Sequence, residues 1–153
     1  MVTSRLDNGN SLLYGVTEHQ LHKLQLLQNA AARVLTKSKK HDHITPILQE
    51  LHWLPIRQRI QFKILLIAFK SQFGLTPSYI ANLLVPYAPS RTLRSSAKSL
   101  LTIPRTSSSY GDRSFSACAP KLWNALPNNI RRCSSLSLFK NLLKTHLFKS
   151  SYT

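Results

Sequence analysis

Acidic side chains, which every two-metal nuclease or polymerase centre requires, are few and scattered in this 153-residue chain. Such a centre needs clustered carboxylates to hold its ions. The chain has five acids, and no two of them are adjacent: Asp7, Glu18, Asp42, Glu50 and Asp112. We therefore predict that the chain holds no catalytic metal or other cofactor and is not an enzyme by itself.

The histidines and cysteines offer two further places to look for chemistry. Residues 41 to 43 read HDH, but adjacent side chains do not converge on one ion, so we interpret them as a solvated polar turn. Cys118, Cys133 and His146 lack zinc-finger spacing and a usual fourth ligand. No local signature marks a cysteine nucleophile either. Both thiols are expected to pack as small hydrophobic groups.

The charge balance is the unusual feature of the composition. Lys and Arg total 21, the net charge is +16, and residues 51–111 and 113–153 contain no acid. Such self-repulsion favours an anionic partner, with nucleic acid first and a membrane surface or an acidic protein as alternatives. Phosphate contacts need cations without nearby carboxylates. The candidate nucleic-acid contacts are Arg57, Arg59, Lys63, Arg91, Arg94, Lys98, Arg105, Arg113, Arg131 and Arg132.

Helical signals predominate among the elements that must position these cations. Thr17 and Gln20 have capping-box spacing and predict a helix over about 18–36. Its apolar stripe is predicted from five residues at helical spacing: Leu21, Leu24, Leu27, Ala31 and Leu35. Pro55 suits the first turn of the next long helix, and Gly74 suits the position just past its end. Apolar residues surround much of that helix, which predicts a central core element.

The remaining elements are shorter or interrupted by proline. A short helix is expected around residues 46–51, and an extended piece near residues 100–103. Another helix should end before Pro127, with a kink or a split possible at Pro120. Ser135 is a candidate cap for the last helix. Trp53 and Trp123 could stack on bases, but both lie in apolar helical patterns, so we expect core packing.

These elements predict an all-α fold, a small bundle of about five helices in one domain. Residues 1–16 are expected to be loose, residues 17–87 to form a helical core, and residues 111–149 to add C-terminal helices. Between them, residues 88–110 read as a basic, poorly ordered linker rich in Ser and Thr. No transmembrane span is expected. The best candidate, residues 64–69, has only six uncharged residues, whereas a span needs about 20.

Five stretches of the sequence carry a resemblance to a known family. They read LHKLQLLQNAAARVLT, HDHITPILQELHWLPIRQRIQFKILLIAFKSQFGLTPSYIANLL, LRSS, YGDRSFSACAPKLWNALPNNIR and SLSLFKNLLKTHLF. In this order they resemble the C-terminal region of the reverse-transcriptase polyprotein of LINE-type non-LTR retrotransposons from animals. The likeness runs from about Ser4 to Phe148. It departs at Asn8 and Gly9, where such elements usually have an aromatic–Cys pair.

The resemblance implies a parent that nicks DNA and copies its RNA with magnesium, through an endonuclease and a polymerase that precede this segment. Neither the polymerase's paired aspartates nor the endonuclease signature occurs here. The resemblance therefore implies the tail of a polymerase without its active sites, and the cations add the expectation that this tail contacts RNA or DNA beside the polymerase. A helical module that docks on the polymerase body, and an inert product of a truncated element copy, are the alternatives. Together with the two cysteines, the resemblance predicts an intracellular location, in the nucleus or the cytoplasm.

Overall fold

The computed structural model describes residues 2–88 and 99–152, with side chains from residue 4 onward. Within these residues the chain is mostly helical and has no strand, which confirms the all-α prediction. Four helices have 11 to 19 residues, and the other five have four to seven. In chain order they are α1 (Val2–Asp7), α2 (Glu18–Thr36), α3 (Ile44–Glu50), α4 (Ile56–Gln72), α5 (Ser78–Ala81), α6 (Ser109–Arg113), α7 (Phe115–Ala125), α8 (Asn128–Arg131) and α9 (Leu136–Tyr152).

Local signals placed the ends of the long helices correctly. α2 begins directly after Thr17, and α4 lies between Pro55 and Gly74, whose φ of 66° suits glycine. The predicted capping box does not form, however. The Thr17 hydroxyl donates to the Gln20 side chain at 3.3 Å and accepts no helix N–H. The carbonyl of Thr17 accepts the N–H groups of Gln20 and Leu21 instead, so the backbone alone closes the first turn.

The N-terminal residues, predicted to be loose, are helical in the structure. They form α1 and a 3-10 turn at Asn10–Leu13, in which Asn10 is buried. The Asn10 amide donates to Asp7, and Asp7 in turn binds Arg59 of α4. This long-range pair, which no local pattern shows, ties α1 to the rest of its unit.

The chain divides into two compact units. The first, unit 1, comprises Met1–Phe62 and Lys144–Thr153, and the second, unit 2, comprises Lys63–Leu143. The divisions fall inside α4 and α9. The segment 88–110, predicted as a linker, belongs to unit 2, and residues 89–98 of it lie outside the described residues.

Unit 1 has a core in which α2 contributes small and polar residues rather than its leucines. Ala32 of α2 packs with Ile47 and Leu48 of α3, and Trp53 and Tyr152 cover this cluster. The Tyr152 hydroxyl donates to the Trp53 carbonyl at 2.6 Å. The half-buried Trp53 thus packs against the core, as predicted.

The stripe predicted for α2 is wrong at two of its five positions. Leu27 and Leu35 are 60% and 64% exposed, whereas Gln28 is fully buried. Gln28 donates to the Leu54 carbonyl at 2.8 Å, and Gln25 accepts the N–H of Ile56 at 2.9 Å. The side of α2 that faces residues 54–56 therefore needs amides, and two leucines point to solvent.

Unit 2 is built on aromatic packing. Phe69 of α4 stacks on Phe73 at 4.5 Å and on Phe139 of α9 at 4.2 Å between ring centroids. Trp123 packs on Phe139 at 5.8 Å and is almost fully buried, which confirms its core role. The predicted helix before Pro127 breaks at Ser114 between α6 and α7, while Pro120 lies inside α7.

The extended piece expected near residues 100–103 is present as an isolated antiparallel β-bridge. Pro86 pairs with Leu101. The Tyr87 N–H donates to the Leu100 carbonyl at 2.9 Å, and the Thr102 N–H donates to the Val85 carbonyl at 2.8 Å. This bridge brings together the two chain segments that flank residues 89–98.

Candidate nucleic-acid interface

Four of the five carboxylates are held by partners within the protein. Asp7 pairs with Arg59, Glu18 with Arg57, and Asp112 with Lys121. Asp42 accepts the backbone N–H of Lys39 at 2.7 Å. Five acids, four of them in such contacts, cannot balance 21 cations, so the chain keeps a large net positive charge.

Arg59, a predicted phosphate contact, is paired with Asp7 inside unit 1. Its Nε donates to Asp7 Oδ1 at 2.9 Å and a terminal nitrogen donates to Oδ2 at 2.6 Å, while its side chain is 14% exposed. A two-pronged pair of this kind fixes both groups. Arg57 pairs with Glu18, but both side chains are exposed, so that pair is weak and Arg57 remains open to solvent.

Arg131, another predicted contact, is buried in unit 2. Its Nε donates to the carbonyl of Leu126 at 3.0 Å, across the turn between α7 and α8. Burial lowers the pKa of the Arg131 guanidinium, and the charge of the neighbouring Arg132 lowers it further. Arg131 therefore supports the turn, whereas Arg132 beside it is exposed.

The other predicted contacts are spread along unit 2. Lys63 is half-buried on α4, and Arg105 is exposed before α6. Arg113 is exposed at the end of α6, where its guanidinium carbon lies 5.6 Å from the centre of the Tyr110 ring. Arg91, Arg94 and Lys98 lie outside the described residues. The structure thus separates exposed cations from cations that hold the fold.

Tyr110 is a candidate residue that sequence reasoning missed. It is 79% exposed, an unusual position for a large aromatic group beside an arginine. The spacing in YGDR could have signalled it, because residues three apart share one face of a helix. The sequence alone did not show that the Tyr110 ring lies outside the core, because tyrosine occurs both in cores and on surfaces.

The other sequence candidates for chemistry are structural. Residues 41–43 form a turn in which the carbonyl of Asp42 accepts from Arg33 at 3.2 Å. Cys118 and Cys133 are free and buried. Burial raises the pKa of the Cys118 thiol to about 11, so it stays protonated near neutral pH and is a poor nucleophile. Among residues 2–88 and 99–152, no group of three or more His, Cys, Asp or Glu side chains could hold a metal ion.

No helix in the described part of the chain has both the length and the apolar character to span a bilayer. Comparisons with protein-family models, with curated proteins and with solved structures found no match for this chain.

Proposed function

We propose that this chain is a non-catalytic nucleic-acid-binding segment from the C-terminal region of a LINE-type reverse transcriptase. It contacts RNA or DNA phosphates beside the polymerase of its parent. The carrying observation is the excess of 21 cations over five carboxylates, and four of these carboxylates already have partners within the protein. The order of the motifs from Ser4 to Phe148 supports the origin.

Exposed cations in stretches of the sequence that contain no acid are suited to phosphate. Arg105 and Arg132 are exposed and lie in stretches without acids. Each phosphate contact releases condensed counterions, so the affinity of such a protein falls steeply as salt rises. Because phosphates are common to every sequence, this binding should be largely independent of base sequence.

A salt series on the full chain tests the proposal. Labelled single-stranded RNA and duplex DNA are titrated between about 50 and 200 mM salt, where each phosphate contact contributes about 0.7 to 0.9 to the log–log slope. We expect a slope equivalent to several contacts. Weak binding with a shallow slope on both nucleic acids would contradict the proposal.

A charge-matched pair of variants locates the contacts. In the first variant, glutamine replaces Arg91, Arg94, Lys98 and Arg105, and in the control it replaces Lys23, Lys37, Lys39 and Lys40. Both lose the same charge, so a difference between them reports position rather than net charge. We expect the first variant to reduce the slope by about 3 and the control to change it little. An equal effect of both would remove residues 91–105 from the contact surface.

A second candidate function, docking on the polymerase body, is favoured by one surface of α2. Leu26, Leu27, Val34 and Leu35 are all more than half exposed on this single helix. Lys23 and Lys37 lie at its two ends and are exposed as well. An apolar helix surface with cations at its ends suits an acidic, amphipathic partner rather than a second copy of itself, because like charges would meet.

A double variant in which glutamine replaces Leu27 and Val34 tests the docking function. Gln preserves helix propensity and removes apolar surface, so the double variant should be more soluble than the wild type and bind less of a hydrophobic dye. Glutamine at the exposed Leu12 is the matched control. A double variant that is no more soluble than the wild type and binds the dye equally would contradict docking through this surface.

A further inference from the structure

α6 presents an aromatic ring and a guanidinium side by side on the surface of unit 2. Tyr110 and Arg113 are three residues apart, and the Arg113 guanidinium carbon lies over the Tyr110 ring, 5.6 Å from its centre. Both side chains are exposed. Proteins that bind single strands stack unpaired bases on flat groups of these two types. The pair therefore has the chemistry of a base-stacking surface.

The support under this pair is well ordered by hydrogen bonds. The Ser108 hydroxyl accepts the Gly111 N–H at 3.1 Å, and Ser114 donates to the Gly111 carbonyl at 2.6 Å. A Cβ at Gly111 would lie 3.2 Å from the Cβ of Thr106, so α6 packs closely on that residue. The ring is thus presented by a helix fixed at both ends, and less conformational entropy is lost when a base binds.

The electrostatics around the pair favour an anion. Asp112 is the only acid in residues 51–153, and Lys121 donates to it at 2.6 Å while Thr106 donates at 2.7 Å. The hydrogen bond from Lys121, followed by that from Thr106, lowers the pKa of Asp112, so its charge is present but compensated. A nucleic-acid backbone that approaches Tyr110 therefore meets the Arg113 guanidinium and the Asp112 carboxylate, which is already paired with Lys121.

We propose that Tyr110 and Arg113 form a stacking platform for an unpaired base of single-stranded nucleic acid. A base inside a duplex has both faces covered by its neighbours and cannot reach the ring, so the platform selects single strands over duplex. This inference rests on the proposed function and adds to it the strandedness of the ligand and the residues that recognise it.

The test uses the full chain and single strands that carry a 2-aminopurine, in separate RNA and DNA arms, with duplex DNA as a third arm. Tyr110→Ala should weaken single-strand binding about 5- to 150-fold, the scale of alanine substitution at a stacking aromatic group. It should also restore 2-aminopurine fluorescence that stacking quenches in the wild type. Tyr110→Phe, which keeps the ring, should bind like the wild type, and duplex binding should not change.

Two further variants make the result specific. Tyr79→Ala removes a ring that is 70% exposed on α5 of the same unit and should leave binding unchanged. Arg113→Lys keeps the charge but loses the plane, so the salt slope should stay while quenching falls. If the wild type binds with a steep salt slope but Tyr110→Ala binds single strands equally well, the platform is overturned and the proposed function stands. If neither nucleic acid binds the wild type, both are overturned. Equal losses at Tyr79 and Tyr110 would also overturn the platform.

Discussion

Asn124 of α7 binds both backbone groups of Leu101. The Leu101 N–H donates to Asn124 Oδ1 at 2.9 Å, and Asn124 Nδ2 donates to the Leu101 carbonyl at 2.8 Å. The neighbouring Trp123 Nε1 donates to the Ser99 carbonyl at 2.8 Å. One side-chain amide thus takes the place of a second strand beside residues 99–101, whose other edge pairs with Val85–Tyr87.

Replacing Asn124 with alanine should therefore destabilise the protein strongly. The change leaves a donor and an acceptor of the buried Leu101 without partners, and each costs about 1 to 3 kcal/mol. We expect Asn124→Ala to lower the free energy of unfolding by about 2 to 6 kcal/mol in urea denaturation. Asn129→Ala, at an exposed position of α8, is the control and should change it by less than about 0.5 kcal/mol. Equal values for the two would contradict the role of Asn124.

Gln28 should also be essential to stability, although it is a polar residue in the interior of the protein. It is fully buried, and its amide donates to the carbonyl of Leu54 while its oxygen accepts from Gln25 at 3.1 Å. Gln28→Leu keeps the size but leaves that carbonyl unsatisfied, so unfolding should become easier by about 1 to 3 kcal/mol. The exposed Gln20 is the matched site, and Gln20→Leu should be nearly neutral. A stabilised Gln28→Leu variant would show that the amide is not needed.

Arg59 and Arg57 should respond differently to lysine, although the two lie two residues apart. Arg59→Lys keeps the charge but loses the two-pronged contact with Asp7, so stability should fall by about 1 to 2 kcal/mol. Arg57→Lys alters an exposed pair and should change stability by less than about 0.5 kcal/mol. The salt slope of nucleic-acid binding should be unchanged in both. An equal loss of stability in the two variants would contradict this difference between the two ion pairs.

Cys118 should make the protein less stable at high pH. Its pKa is raised from 9.0 to about 11 by burial, so between these values the unfolded chain loses the thiol proton while the folded chain keeps it. Stability is fully present below pH 9 and falls as the pH rises toward 11. The effect of this one thiol should reach about 2 to 3 kcal/mol. Denaturant titrations at several pH values should show a shallower fall for Cys118→Ala, and an equal fall would assign the pH dependence to other groups.

The sequence was sufficient for features that depend on local chemistry. The β-region backbone at Thr17 and the positive φ at Gly74 set where α2 begins and where α4 has ended, because both depend on the conformations of single residues. The net charge and the absence of clustered acids are likewise properties of composition. The helix-start and helix-end residues led to the prediction of an all-α fold. The charge balance led to the list of candidate cations.

Tertiary structure alone decided which side chains serve the core and which face solvent. Gln28 is buried and Leu27 is exposed because the Leu54 carbonyl and the Ile56 N–H, just before and at the start of α4, face that side of α2, and such backbone groups must find partners. Arg59 supports the fold because Asp7, 52 residues away in sequence, accepts its guanidinium, whereas Arg113 lies beside the exposed ring of Tyr110. Contacts over such separations depend on how helices pack, and no local pattern of residues encodes them.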